Sequence, residues 1–170
     1  QPYLAKPEDM RASFTVSIDA TRGFAKLVVG DEERLLRVGE WSDWVPIVFD
    51  VRPLQTLHAE CRFYLKQLAP TFELYASPVN VDPVIPAVPL SKPEAYAMEL
   101  ARATGRFYTQ GMPEDTKALR TGVFSTAEFL EQARIAQLEN LRQFRYVLEH
   151  FERGLLFYYF GNVDQVSHML

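Results

Sequence analysis

The sequence predicts an α+β fold: an antiparallel β-domain of about six strands, a meander or small sandwich, then two helices and a terminal buried strand of the kind that belongs to an α/β core. Three observations predict it. Residues 14–77 contain short stretches of alternating polar and apolar side chains separated by turn residues, as half-buried antiparallel strands do. Residues 91–152 carry two helix-start signals and an apolar repeat at three-to-four spacing. Leu155 to Phe160 is an unbroken apolar run, which suits a strand covered on both faces. The expected division is an antiparallel β-domain with a Pro-rich linker over 1–90, and a helical segment with a returning strand over 91–170.

Taken in order, residues 1–11 hold two prolines and mixed charge and read as an entry linker. Phe14, Val16 and Ile18 alternate with Thr15, Ser17 and Asp19, which predicts the first strand. Asp19 to Gly23 is turn chemistry, Phe24 to Val29 is the partner strand, and Gly30-Asp31 turns again. Leu35 to Val38 is a third, short strand, followed by a loop with Trp41 and Trp44. Val45 to Val51 is β-branched, with Pro46 marking a start or an edge. Leu57 to Leu68 fits either a helix or a strand; the alternation of Ala59, Cys61, Phe63 and Leu65 with polar partners favours strand. Pro70 ends it, and Phe72 to Ser77 is the next strand. Four prolines between 78 and 90 make an extended linker. Ser91-Lys-Pro-Glu94 has the form of a capping box, with a helix running to about Thr104 and stopped by Gly105. Phe107 to Leu119 reads as an irregular loop. Ser125-Thr-Ala-Glu128 is a second capping box, opening a helix over roughly 126–152. Leu130, Leu138, Leu141, Phe144, Leu148 and Phe151 form its apolar stripe, with Gln132 and Glu139 among the polar residues around it.

Bulk properties exclude several classes of function. The 170 residues, 48% hydrophobic and 24% charged, suffice for a packed core. A net charge of −4 with scattered Lys and Arg gives no field for nucleic acid, and no apolar run is long enough to span a bilayer, so neither nucleic acid nor membrane is an expected partner. One cysteine, Cys61, excludes an internal disulfide framework.

The chemistry-bearing candidates sit late in the chain. Asp164 and His168 form a D-x-x-x-H directly after the apolar run, where open α/β sheets place their sites. Four residues apart, the two would share one face of a helix. Carboxylate and imidazole both suit Zn²⁺, yet two ligands do not complete a tetrahedral site. Tyr108, Gln110, Glu114 and Asp115 lie on the irregular loop; the paired acids suit acid–base work, metal contact or a purely structural role. Asn80 and Asp82 are polar contacts near a site or turn residues that satisfy backbone. His58, beside a turn, and His150, late in the long helix, read as structural or surface residues. Cys61 reads as small core. Trp41 and Trp44 either stack on a ligand or pack, and packing is favoured.

Four segments in sequence order resemble one family. They are Gly39-Glu-Trp-Ser-Asp-Trp44, the stretch Leu74 to Pro83, the stretch Phe107 to Leu119, and Leu155 to Met169 with its Gly-Asn-Val-Asp-Gln-Val-Ser-His core. Together they are similar to the type I phosphodiesterase/nucleotide pyrophosphatase branch of the alkaline phosphatase superfamily, over most of residues 14–170. The resemblance implies that Asp164 and His168 bind one metal of a two-metal site, usually zinc, in an intact hydrolase of phosphate esters. It allows a substrate-gating role for the loop of Tyr108, Gln110, Glu114 and Asp115, with a structural loop between cap and core as the alternative. The family's nucleophilic Thr or Ser and its other metal ligands have no counterpart here. The expectation is therefore a cap region plus one ligand strand, inactive alone, holding no metal tightly, with the rest of the catalytic domain as partner. The opening Gln1-Pro2-Tyr3 and the stop two residues after His168 fit a piece of a longer protein. Left alone, the 155–160 strand is expected to mediate a homodimer or to tuck against the chain's own long helix. The alternative reading is a non-catalytic β-rich accessory or interaction domain.

Overall fold

A computed structural model describes residues 10–51 and 55–170, so the entry linker expected over 1–11 lies almost wholly outside the described residues. The fold is α+β. It divides into two compact units with the boundary between Val79 and Asn80, within the Pro-containing stretch.

The first unit is all antiparallel. Strands β1 (Phe14–Asp19), β2 (Phe24–Val29) and β3 (Glu32–Arg37) make a three-stranded meander. Phe14 faces Val29, and Val29 in turn faces Glu32 across the Gly30-Asp31 turn, where Gly30 has φ 56°. That positive φ is the reason a glycine stands there. The third strand thus starts three residues earlier than apolar content alone predicts, because ladder pairing from a tight turn recruits the polar Glu32, Glu33 and Arg34. Strand β4 (Glu40–Trp41) joins β7 (Phe63–Gln67) and β8 (Glu73–Ala76) in a second sheet, and β5 (Val45–Val51) pairs with β6 (Gln55–Cys61). Eight strands are described here instead of about six. Two of them come from the single stretch 57–68, which divides at Arg62. His58 is opposite Val48 inside β6, not beside a turn.

Arg62 is buried, and its contacts explain the break. Its backbone N–H donates to Ser77 Oγ at 2.9 Å. Its guanidinium lies 4.7 Å from the Trp44 ring centre and donates to Ser42 O at 2.8 Å. Ser42 Oγ accepts the Phe63 N–H at 2.8 Å. Burying a cation is tolerable only with such hydrogen bonds and a ring face. Trp44 is buried in this knot and Trp41 lies against Tyr64 with ring centres 5.0 Å apart, so both tryptophans pack. The core gathers Ala25, Leu27, Leu36, Val45, Cys61 and Leu65, as period-two alternation requires.

The second unit holds a two-residue strand, β9 (Asn80–Val81), and four helices among the described residues: α1 (Tyr96–Thr104), α2 (Thr116–Arg120), α3 (Thr126–His150) and α4 (Gly161–Met169). The capping box of α3 forms with both arms, Ser125 Oγ accepting the Glu128 N–H and Glu128 accepting the Ser125 N–H. The one expected at Ser91-Glu94 does not. Helix α1 begins later, at Tyr96, and the Ser91 hydroxyl instead accepts the Ala97 N–H at 2.9 Å. Gly105, at φ 89°, ends α1 with its N–H on Ala101 O.

Two further expectations are corrected. Residues 155–160 form no strand, and none of the described strands pairs with them. Burial nevertheless alternates: Leu155, Phe157 and Tyr159 are 93%, 82% and 59% exposed, while Leu156, Tyr158 and Phe160 are half-buried. Phe144 on α3 meets the Tyr158 and Phe160 rings at 5.0 and 5.2 Å, and Tyr158 Oη donates to Asn140 O at 2.9 Å. One face is tucked onto the long helix. The second correction concerns α3 itself. Its buried positions are Phe129, Gln132, Ala133, Ala136 and Glu139, whereas Leu130, Leu138 and Leu148 are exposed.

Candidate functional site

The buried polar residues of α3 account for its rotated face. The Gln132 side chain accepts the Asp115 N–H at 2.8 Å, and Glu139 accepts the Tyr108 N–H at 3.1 Å. Two internal acceptors on the helix thereby fasten both ends of the irregular loop. Backbone N–H groups brought out of water need partners, and the buried face of α3 supplies two of them. Asn80 fixes the same loop from the other side. Its Nδ2 donates to Phe107 O at 3.0 Å, and its Oδ1 accepts from Thr109 N and Thr109 Oγ1, both at 2.8 Å. Asp82 pairs with Arg106 at 2.6 Å and accepts the Val84 N–H at 2.8 Å. Asn80 and Asp82 are thus loop anchors.

The four loop candidates separate. Tyr108 and Gln110 line a cavity of about 400 Å³. Glu114 and Asp115 do not. Asp115 caps α2, a short helix inside the stretch expected to be irregular, by accepting the Ala118 N–H at 2.9 Å. Glu114 is 4% exposed, and neither carboxylate oxygen has a hydrogen-bond partner on another residue. Burial pushes its pKa above the ordinary value, opposed in part by its own backbone N–H. Burial makes such a carboxyl costly to ionise.

Asp164 and His168 are on α4, with the apolar segment leading into it. His168 Nε2 lies 3.3 Å from Asp164 Oδ1, at i and i+4 of one helix face, and the side chains are 78% and 53% exposed for His168 and Asp164 respectively. The arrangement presents one oxygen and one nitrogen donor to solvent. Among the described residues no group of three or more His, Cys, Asp or Glu is gathered closely enough to hold a metal ion. Of the other titratable candidates, Cys61 is buried, with burial and then Glu60 pushing its thiol up to about 12. His150 stacks on Tyr146 at 4.1 Å and its Nδ1 contacts Tyr146 O at 2.7 Å, a helix-end role. No helix among the described residues is long and apolar enough to cross a membrane.

Sequence reasoning gave no role to Asn140, Gln143 and Asn162, which line the same cavity as Tyr108 and Gln110. Gly161-Asn162 directly follows the apolar run, and that was the available signal; the two α3 amides carry none, since they look like ordinary solvated positions. No family model, curated protein or solved structure matches the chain.

Proposed function

We propose that this chain is part of a metal-dependent phosphohydrolase of the phosphodiesterase/nucleotide pyrophosphatase kind, contributing two ligands of one metal. The observation that carries the reading is the Asp164–His168 pair, held 3.3 Å apart on one exposed helix face. The donor chemistry fits half of one zinc site: a carboxylate oxygen and an imidazole nitrogen, with two positions left for donors from elsewhere. When bound, paired ions stabilise charge on the attacking and leaving oxygens of phosphoryl transfer. Asp164 and His168 hold; they do not attack. In this reading the loop of Tyr108 and Gln110, anchored by Asn80 and Glu139, serves as a wall for substrate groups. With no assigned nucleophile, the chain by itself does not turn over phosphate diesters.

Zinc titration calorimetry tests this. The chain should bind Zn²⁺ weakly, and Asp164→Ala and His168→Ala should each weaken binding at least about tenfold, the double variant little more, because loss of either ligand breaks the chelate. Equal binding in all four proteins would remove the metal assignment. The second reading, a non-catalytic interaction domain, then takes over; it is favoured by the exposed row Leu155, Phe157 and Tyr159.

A further inference from the structure

The cavity in the second unit has its own chemistry. At about 400 Å³ it falls within the range of small-molecule sites, roughly 300–1,000 Å³. The irregular loop, the 136–143 stretch of α3, residues 157–159 and the first turn of α4 enclose it. Amide side chains dominate the polar lining: Gln110, Asn140, Gln143 and Asn162. Phe157 and Tyr159 add aromatic rings that are largely exposed to water. No Lys, Arg or His is among the lining residues, while the carboxylate of Glu139 is. That set disfavours an anion and favours a neutral ligand with many hydroxyls.

Two independent features mark a binding position. The first N–H groups of any helix lack an intrahelical acceptor, and α4 starts at the cavity with no side-chain cap on them. Asn162, in that first turn, is only 7% exposed, yet its side-chain oxygen has no hydrogen-bond partner. Buried amides are nearly always satisfied, and one that is not calls for a ligand group or an ordered water. Aromatic faces beside amides match a puckered ring that is apolar on its C–H face and polar at its edge.

We infer that this cavity binds a neutral sugar ring, with the amides of Asn162, Asn140 and Gln143 on its hydroxyls and Phe157 or Tyr159 against its face. The site needs no metal, although it shares Tyr108 and Gln110 with the substrate wall of the proposed hydrolase. The test is saturation-transfer NMR and calorimetry on the whole chain in the presence of a chelator. The probes are methyl β-glucoside, methyl α-mannoside and N-acetylglucosamine, with adenosine and inorganic phosphate for comparison. At least one sugar should bind saturably. Asn162→Ala should weaken it at least tenfold. Phe157→Ala, a change at a residue 82% exposed and so harmless to folding, should weaken it severalfold. Failure of all three sugars, binding of adenosine or phosphate alone, or sugar binding indifferent to both substitutions would overturn the assignment.

Discussion

Replacing Glu114 by Gln should stabilise the second unit at neutral pH. The carboxyl is 4% exposed and neither oxygen is paired with another residue. Leaving a buried polar group unsatisfied costs about 1–3 kcal/mol, more when it is charged. Burial raises the folded-state pKa above the ordinary 4.5, so the proton-bound carboxyl favours the fold. That contribution is complete below about pH 4.5 and is lost as pH rises through the raised value. Gln mimics the protonated form at every pH. Glu114→Gln should therefore match the wild type near pH 4 and exceed it by about 1–3 kcal/mol at pH 7–8. Urea unfolding followed at 222 nm reads this unit selectively, since all four described helices lie in it. A pH-independent difference, or a variant less stable at pH 7, would refute the reasoning. The second of these outcomes would mean that Glu114 is charged in the fold and that a cation compensates it.

Two further outcomes follow from the same geometry. In the α3 capping box the Ser125 N–H reaches Glu128 at 2.7 Å, while Ser125 Oγ receives the Glu128 N–H at a longer 3.3 Å. Ser125→Ala should cost about 1 kcal/mol and Glu128→Ala at least as much by the same urea assay; equal stability of both variants and wild type would show the box to be idle. Cys61, with its thiol pushed up to about 12 inside the first unit, should resist a thiol-specific disulfide reagent at pH 8 and react fully in urea; stoichiometric labelling of the native chain within minutes would contradict its burial.

The β-unit was legible because its information is local. Alternation at Ala25, Leu27 and Val29, and again at Ala59 and Cys61, places these side chains in the core wherever the strands lie. Turn residues fixed the first hairpins, and Ser125 with Glu128 fixed the start of the long helix. The split at Arg62 was not legible, since it depends on Ser42, Trp44 and Ser77, which are distant in sequence and adjacent in space. The same holds for the second unit. Gln132 and Glu139 are polar and sit among polar neighbours, so helical periodicity put them outside. They are inside because the loop backbone at Tyr108 and Asp115 needs acceptors there.

The terminal segment shows the division most plainly. That residues 155–160 are apolar, and that Asp164 and His168 share a face if the chain turns helical, could be read directly, because composition and spacing are properties of the chain alone. Tertiary structure decided that this apolar run is not a strand, since a strand requires a partner's N–H and C=O groups. It also decided that alternate side chains pack on Phe144 and Asn140, and that the turn leading into α4 closes a cavity around the amide of Asn162. Those outcomes depend on which groups meet across tens of residues, and hydrogen-bond satisfaction between distant segments is written in no local pattern.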